Sequence, residues 1–342
     1  MGCSLRTVGL VGSGAIAPLH LRAYRKLGIE VRALLASDQG QADALCTAGG
    51  IAPRRPADLE ALAAEECDFF DVMVPPQVQP QIVHFLSRLG RPVLCEKPLA
   101  LGLAKAVALV RAAEENGARL GVTHNQLFYG PHVRARELIA AGEIGEAKIL
   151  RLHLVGSHSA HTAWKQDLQA RGGMIWDDGV HRLYTARSLF GRIERVHAHG
   201  QRDFAGRALG WAATVHLQFA GGQMGVLDFS YGLGGGEFYD DSLSVIGTRG
   251  VIAINGAFGR PWPMPAFAVR TGGAWHEESA KVDWEESFVA LVRHFIETTA
   301  AGKDSDLIGG RAALETVSAA EAVERSLREN RESAVEDPLL NL

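Results

Sequence analysis

Gly12-Ser13-Gly14-Ala15-Ile16-Ala17 lies directly after the apolar run 7–11 and opens a helical stretch over 18–27, and this placement decides the fold. The pattern is GxGxxA. Its first glycine permits a tight turn, its second lets the backbone approach a pyrophosphate, and the small last residue allows close helix–strand packing. A helix N-terminus at this point presents free N–H groups and a positive dipole end to phosphates. An isolated pattern of this kind is also met as an ordinary glycine turn. Between a strand and a helix near the start of a chain, it reads as a dinucleotide-binding turn.

Outward from that turn, short apolar runs alternate with helical stretches. Runs at 31–35, 68–74, 93–95 and 119–123 alternate with helical spacing at 81–89 and 101–116. Such alternation implies βαβ units and a parallel sheet covered on both faces. After residue 125 the pattern changes. Helices are expected at 131–141 and 174–190. Residues 211–220 then alternate apolar and polar, Gly221-Gly222 marks a hairpin, and 223–231 is the return strand. Gly247-Thr248-Arg249-Gly250 separates two more apolar runs, the proline-rich stretch 261–265 reads as a loop, and helices are expected at 285–301 and 309–330. The expected architecture is α/β. It comprises an N-terminal Rossmann dinucleotide-binding domain over 1–125 and an α/β domain over 126–342 built on a large, mostly antiparallel open sheet.

Composition limits the function classes. The 342 residues are 47% hydrophobic and 22% charged, with a formal net charge of −4 at pH 7. This gives no electrostatic footprint for nucleic acid or an anionic membrane, and no apolar run is long enough to span a bilayer. Residues 1–6 do not read as a signal peptide. Arg6 occupies the position where a myristoylation motif needs Ser or Thr. Cys3, Cys46, Cys67 and Cys95 form no CxxC pair, which points to reduced thiols and a cytoplasmic protein.

The end of the second strand reads Leu35-Ala36-Ser37-Asp38. An acidic residue there would hold the ribose 2′-OH of NAD, whereas Ser37 would suit the 2′-phosphate of NADP. Asp38 alternatively caps the following helix. The balance leans to NAD. Pro75-Pro76 and Glu96-Lys97-Pro98 end further strands, the second of these counted as the fifth, at the edge where open α/β sheets bind ligands. Lys97 there can orient a substrate hydroxyl or help to move its proton. In 172–181, Asp177 and His181 stand four residues apart, one turn on a helix. A carboxylate near an imidazole orients the ring, and a histidine suits proton removal near neutral pH. His153, His158 and His161 precede Trp164, but their spacing fits no standard metal pattern. Hydrogen bonding by His158 and stacking of a sugar on Trp164 are the expected roles.

Taken together, Gly12 to Ala17, Glu96-Lys97-Pro98 and Asp177-x-Gly179-x-His181 resemble the signatures of the glucose-fructose oxidoreductase / inositol dehydrogenase / rhizopine-catabolism (Gfo/Idh/MocA) oxidoreductases. Leu138-Ile139-Ala140-Ala141-Gly142-Glu143-Ile144-Gly145 is similar to the family's lead into its second domain. The resemblance implies reversible NAD(P)-dependent oxidation of a secondary hydroxyl on a sugar, cyclitol or related polyol. It also implies Lys97, Asp177 and His181 as the catalytic group, Asn125 near the substrate, a cis Lys97–Pro98 bond, and a homodimer or homotetramer formed through the open sheet. Two positions depart from the family pattern. Pro80 stands where members often have His, and Asn125-Gln126-Leu127-Phe128 lacks the Arg of an Asn-x-Arg-Phe motif. Two other activities remain open: glycoside cleavage using tightly bound NAD transiently, which would yield no net NADH, and nucleotide sensing without catalysis, which would need no proton relay.

Overall fold

In the computed structural model, residues 5–156, 173–201, 212–231, 239–256 and 265–341 are described. The chain divides into two compact units, one of residues 1–125, 285–317 and 338–342 and the other of 126–284 and 318–337. The first unit therefore takes back a C-terminal stretch that the linear reading assigns to the second.

In the first unit, β1 (Thr7–Val11), β2 (Glu30–Leu35), β3 (Phe69–Val72), β4 (Val93–Cys95) and β5 (Leu120–Val122) pair in the order β2-β1-β3-β4-β5. Every pairing is parallel. β1, β3, β4 and β5 are buried along their length. Strands covered on both faces must be almost wholly apolar, which is why they stand out as runs. The connections contain α1 (Ala17–Leu27), α2 (Gln39–Gly49), α3 (Leu59–Ala63), α4 (Gln79–Ser87) and α5 (Leu103–Glu115). Gly28 ends α1 in the left-handed conformation, its N–H bonded back to the last turn. The Glu96-Lys97-Pro98 turn follows the fourth strand of the sheet and not the fifth. The intervening segment contributes only an isolated parallel bridge, Ala33 to Arg54.

In the second unit, α6 (Gly130–Ala140) leads to β6 (Ala147–Gly156). A helix over 180–190, α7 (Val180–Phe190), is followed by β7 (Ile193–Gln201), β8 (Ala212–Phe219), β9 (Met224–Tyr231), β10 (Tyr239–Asp240), β11 (Leu243–Gly247), β12 (Gly250–Ile254), β13 (Phe267–Thr271) and β14 (Ala274–Glu277). With β15 (Ser333–Ala334), these strands order as β14-β13-β12-β11-β6-β9-β8-β7-β15, and β10 pairs with β6. β6 and β9 are parallel, whereas the other pairings are antiparallel. The alternation read in β8 holds: Ala213, Val215, Leu217 and Phe219 are buried, and His216 and Gln218 are exposed. α7 packs on β6, and its Phe190 ring meets Phe219 edge-on at 5.2 Å. One face of the sheet thus carries the core.

Two helices close the chain, α8 (Trp284–Ala300) and α9 (Gly310–Glu329). α8, from Glu285 onward, belongs to the first unit for a packing reason. Phe295 lies on the Phe69 ring, with centroids 5.7 Å apart, and against Gly121, where an added Cβ would come within 2.6 Å of the Phe295 ring. Burying such an aromatic side chain contributes roughly 1.5–3 kcal/mol. Glu285 and Glu286 also pair with Arg22 and Lys26 of α1. These exposed pairs add little, of order 0–1 kcal/mol.

Candidate active site

The sequence motifs of the first unit gather at the carboxyl edge of its parallel sheet. Gly12 adopts φ +103, and an added Cβ would stand 2.3 Å from the Met73 carbonyl oxygen. Only glycine fits that position. At Gly14 an added Cβ would meet no atom within 4 Å, so the backbone there faces open space. Ile16 occupies the N-cap of α1 and offers no side-chain cap. The positive end of the helix therefore lies at the turn of Ser13, Gly14 and Ala15, where the Ala17 amide is taken by the Gly14 carbonyl at 3.0 Å. This cradle fits a pyrophosphate, and Ala17, fully buried, begins the helix.

Ser37 and Asp38 follow β2. Asp38 Oδ1 accepts the Gln41 amide at 2.9 Å and caps α2, the role left open beside ribose binding. Arg55 is engaged by Asp43 and Gln39.

The Lys97 turn is built by side chains that the motif reading did not single out. The Lys97–Pro98 peptide is cis. Gln79, just after Pro75 and Pro76 and 1% exposed, directs its Nε2 at three carbonyls, those of Glu96 (2.6 Å), Pro98 (2.7 Å) and Leu99 (3.4 Å). Only the NH2 side of an amide can meet three acceptors, which fixes its orientation. Pro80, the departure from the family pattern, occupies the first turn of α4, where proline is favoured. On the opposite side, Glu96 Oε2 accepts the Lys97 amide at 3.2 Å, and Oε1 meets His20 Nε2 at 3.1 Å. His20 Nδ1 contacts Asp71 Oδ2 at 2.7 Å, and the Tyr24 hydroxyl donates to the same oxygen at 2.5 Å. Burial pulls the His20 pKa down, but Asp71 and Glu96 outweigh it and hold it at about 10. His20 is thus a buried imidazolium between two carboxylates. The run 68–74 carries two carboxylates, Asp68 at its start and Asp71 in its middle. A carboxylate in a buried strand requires a partner, and that requirement is the signal that leads to His20.

Asn125 ends the first segment of the first unit. It is 2% exposed and donates from Nδ2 to Ser287 at 3.1 Å.

In the second unit the expected continuous helix over 174–190 opens with a π turn, Ile175–Gly179, before α7. A π turn closes its hydrogen bond over five residues where an α turn uses four. The phase from Asp177 to His181 therefore differs from simple one-turn stacking. Such bulges recur at functional sites. Asp177, within the turn, is 8% exposed, and His181, on α7, is half-buried. His181 Nδ1 is hydrogen bonded to the Tyr184 hydroxyl, one turn on. Tyr184 is 1% exposed and also receives the Gln126 amide at 3.4 Å. Beside it, Arg182 is buried, with Nη1 donating to Gln126 Oε1 and Nη2 3.8 Å from Asp241. Burial, together with Arg182 and Arg136, presses the His132 pKa down to about 3. His158 and Trp164 lie outside the described residues.

Comparison with known proteins agrees with this fold. Residues 6–124 match the oxidoreductase family model with a NAD-binding Rossmann fold, and 132–253 match the GFO/IDH/MocA C-terminal domain. D-apiose dehydrogenase of Paraburkholderia graminis is 29% identical over 334 residues, covering 94% of this chain and 88% of the relative. Inositol 2-dehydrogenase of Rhizobium meliloti is 26% identical over 351 residues, covering 96% and 98%. The fold matches the crystal structure of an oxidoreductase from Agrobacterium radiobacter in complex with NAD+, L-tartaric acid and magnesium. That match has a TM-score of 0.84 at 22% identity and covers 97% of this chain and 99% of that one. The two family models together cover more than half of the chain, and the chain belongs to the GFO/IDH/MocA oxidoreductases, with a NAD-binding Rossmann fold in its first unit.

Proposed function

We propose that this enzyme reversibly oxidises a secondary hydroxyl of a sugar, cyclitol or related polyol, with Lys97, Asp177 and His181 as its catalytic group. The observation that carries this reading is the placement of Lys97. Its turn, clamped by Gln79 and Glu96, shares the carboxyl edge of one parallel sheet with the Gly12–Ala17 cradle. When bound, the nicotinamide cofactor supplies hydride chemistry. Gly12, Ser13, Gly14, Ala15, Ile16 and Ala17 would hold its pyrophosphate, with Pro75, Pro76, Glu96 and Lys97 toward the nicotinamide end. His181 takes the hydroxyl proton at Nε2 in oxidation and returns it in reduction. Lys97 steadies the substrate oxygen and lowers the cost of its developing charge. Asp177 holds a substrate hydroxyl. The named relatives, an apiose and an inositol dehydrogenase, support the substrate class.

A panel of polyols, sugars and sugar acids with NAD and NADP, followed at the nicotinamide absorbance, tests the reading. Net reduction of cofactor with one or more of them is expected. Glycoside cleavage with no net reduction would move the enzyme to the transient-cofactor class, and silence throughout would make it a sensor.

NAD is the preferred cofactor in this reading, with Asp38 Oδ2 available to the ribose while Oδ1 caps α2. Asp38→Ala should narrow the NAD-to-NADP ratio of kcat/KM. Equal preference in the unmutated enzyme removes Asp38 from that role.

The enzyme works as a homo-oligomer through the outer face of the large sheet, in the cytoplasm, where its free thiols Cys46, Cys67 and Cys95 stay reduced. Supporting self-association, Met224, Ile149, Ile246 and Val251 form one cross-strand row on the outer face, and Met224 is 59% exposed. Light scattering should give a dimer or tetramer, and Met224→Glu with Ile149→Glu should shift it toward monomer. No helix among the described residues is long and apolar enough to cross a membrane.

A further inference from the structure

We propose that Tyr184 is a positioning residue for His181, its buried hydroxyl accepting Nδ1–H so that Nε2 is left as the nitrogen that takes a proton. The inference rests on the reading of His181 as the proton acceptor. It starts from hydrogen-bond arithmetic. A phenol oxygen has one hydrogen and two lone pairs. The Gln126 backbone amide occupies one lone pair at 3.4 Å, and a backbone N–H can act only as donor. His181 Nδ1 meets the same oxygen. In the imidazolium both ring nitrogens carry hydrogen, so toward a protonated ring the hydroxyl is an acceptor twice over. When the proton leaves Nε2, Nδ1–H stays where it is and the contact with Tyr184 survives unchanged. In the opposite tautomer Tyr184 would have to turn its hydrogen onto Nδ1. Nε2 would then carry hydrogen and could not take a second proton from the substrate. One buried oxygen thus holds the ring plane and its tautomer through both halves of a proton cycle.

Packing makes the hydroxyl a fixed point. Tyr184 is 1% exposed, and its ring lies 5.4 Å from the imidazole, edge to face at 69°. The Thr185 hydroxyl bonds the His181 carbonyl at 2.7 Å and tightens the same turn. Charged and titratable groups also stand on the elements packed against α7: Asp177 and Asp178 in the π turn, His132, Arg134, Arg136 and Glu137 on α6, and Lys148, Arg151 and His153 on β6. Arg182 and Arg187 share the helix itself. None of them changes in Tyr184→Phe, which deletes a single oxygen.

The test is nitrogen NMR of the 13 histidines in the full chain labelled with 15N-histidine. His181→Asn identifies the His181 signals by their loss. In the unmutated protein the neutral His181 ring should carry its hydrogen on Nδ1. In Tyr184→Phe the ring should become a mixture of tautomers, with its titration midpoint lower by about one pH unit, because the imidazolium loses an acceptor. The acid limb of the pH–kcat profile should move with it. A neutral ring protonated on Nε2 in the unmutated protein overturns the proposal whatever the variant does. An unchanged tautomer and midpoint in Tyr184→Phe overturns it too. Both readouts need no substrate. A shifted ring in a protein that oxidises no polyol keeps the positioning role and removes the redox reading. Full dependence of turnover on His181 with an unmoved ring does the reverse.

Discussion

His181→Ala should lose about a hundred- to ten-thousand-fold of turnover while still binding the nicotinamide cofactor. That range is what removal of a positioned general base costs, and at room temperature it corresponds to about 3–5 kcal/mol of barrier. Cofactor affinity should survive, because the glycine cradle and the clamped Lys97 turn belong to the first compact unit and His181 to the second. Steady-state kinetics on the best substrate of the panel, with cofactor binding measured by calorimetry, separates the two effects. Lys97→Ala should lose turnover similarly, through the charge it no longer stabilises. Near-normal turnover of His181→Ala at neutral pH would transfer the base role to another group, Lys97 first.

The second large effect is expected far from the substrate. His20→Ala should destabilise the fold by about 3–5 kcal/mol, the usual cost of removing one partner from a buried ion pair. Asp71, fully buried on β3, would lose its cation, and Glu96, which accepts the Lys97 amide, would lose its His20 partner. The same network makes stability depend on pH. The folded pKa of His20 is raised to about 10 from an ordinary 6.5, so the folded state binds the proton more tightly. Its contribution is full below about pH 6.5 and is lost as pH rises through about 10. Burial raises the pKa of Cys67, to about 11, and that of Tyr24, so these groups add losses only at higher pH. His132, held neutral, titrates on the acid side. Urea unfolding between pH 6.5 and 9 should therefore show a falling midpoint in the unmutated protein and a flatter one in His20→Ala. Parallel slopes would mean that His20 is neutral in the folded state.

Much of this was legible in the chain because two physical constraints write themselves locally. Strands buried on both faces must be apolar, which marked β1, β3 and β4, and half-buried strands must alternate, which marked β8. The cradle was legible because only glycine tolerates Gly12's dihedral and its approach to Met73. What escaped depends on contacts distant in sequence. Nothing local says that Phe295 returns to Gly121, so a linear boundary at residue 125 puts α8 with the second unit, whereas its packing puts residues from Glu285 onward in the first. The π turn Ile175–Gly179 departs from the continuous helix expected over 174–190 by one extra residue in a turn, which the spacing of side chains does not announce. Gln79 serves three carbonyls that come together only when β3 and β4 are paired. Tyr184, by contrast, stands three residues after His181 on one helix face, and that spacing alone could have nominated it.

The central claim is hydride transfer from a hydroxyl-bearing carbon, and its most direct test uses a substrate deuterated at that carbon. With the best substrate of the panel, mass spectrometry of the reduced cofactor should find one deuterium per molecule, and initial rates should show a primary isotope effect in single turnover. Reduced cofactor without deuterium, or conversion of the substrate with the label retained at its original carbon, would contradict the account.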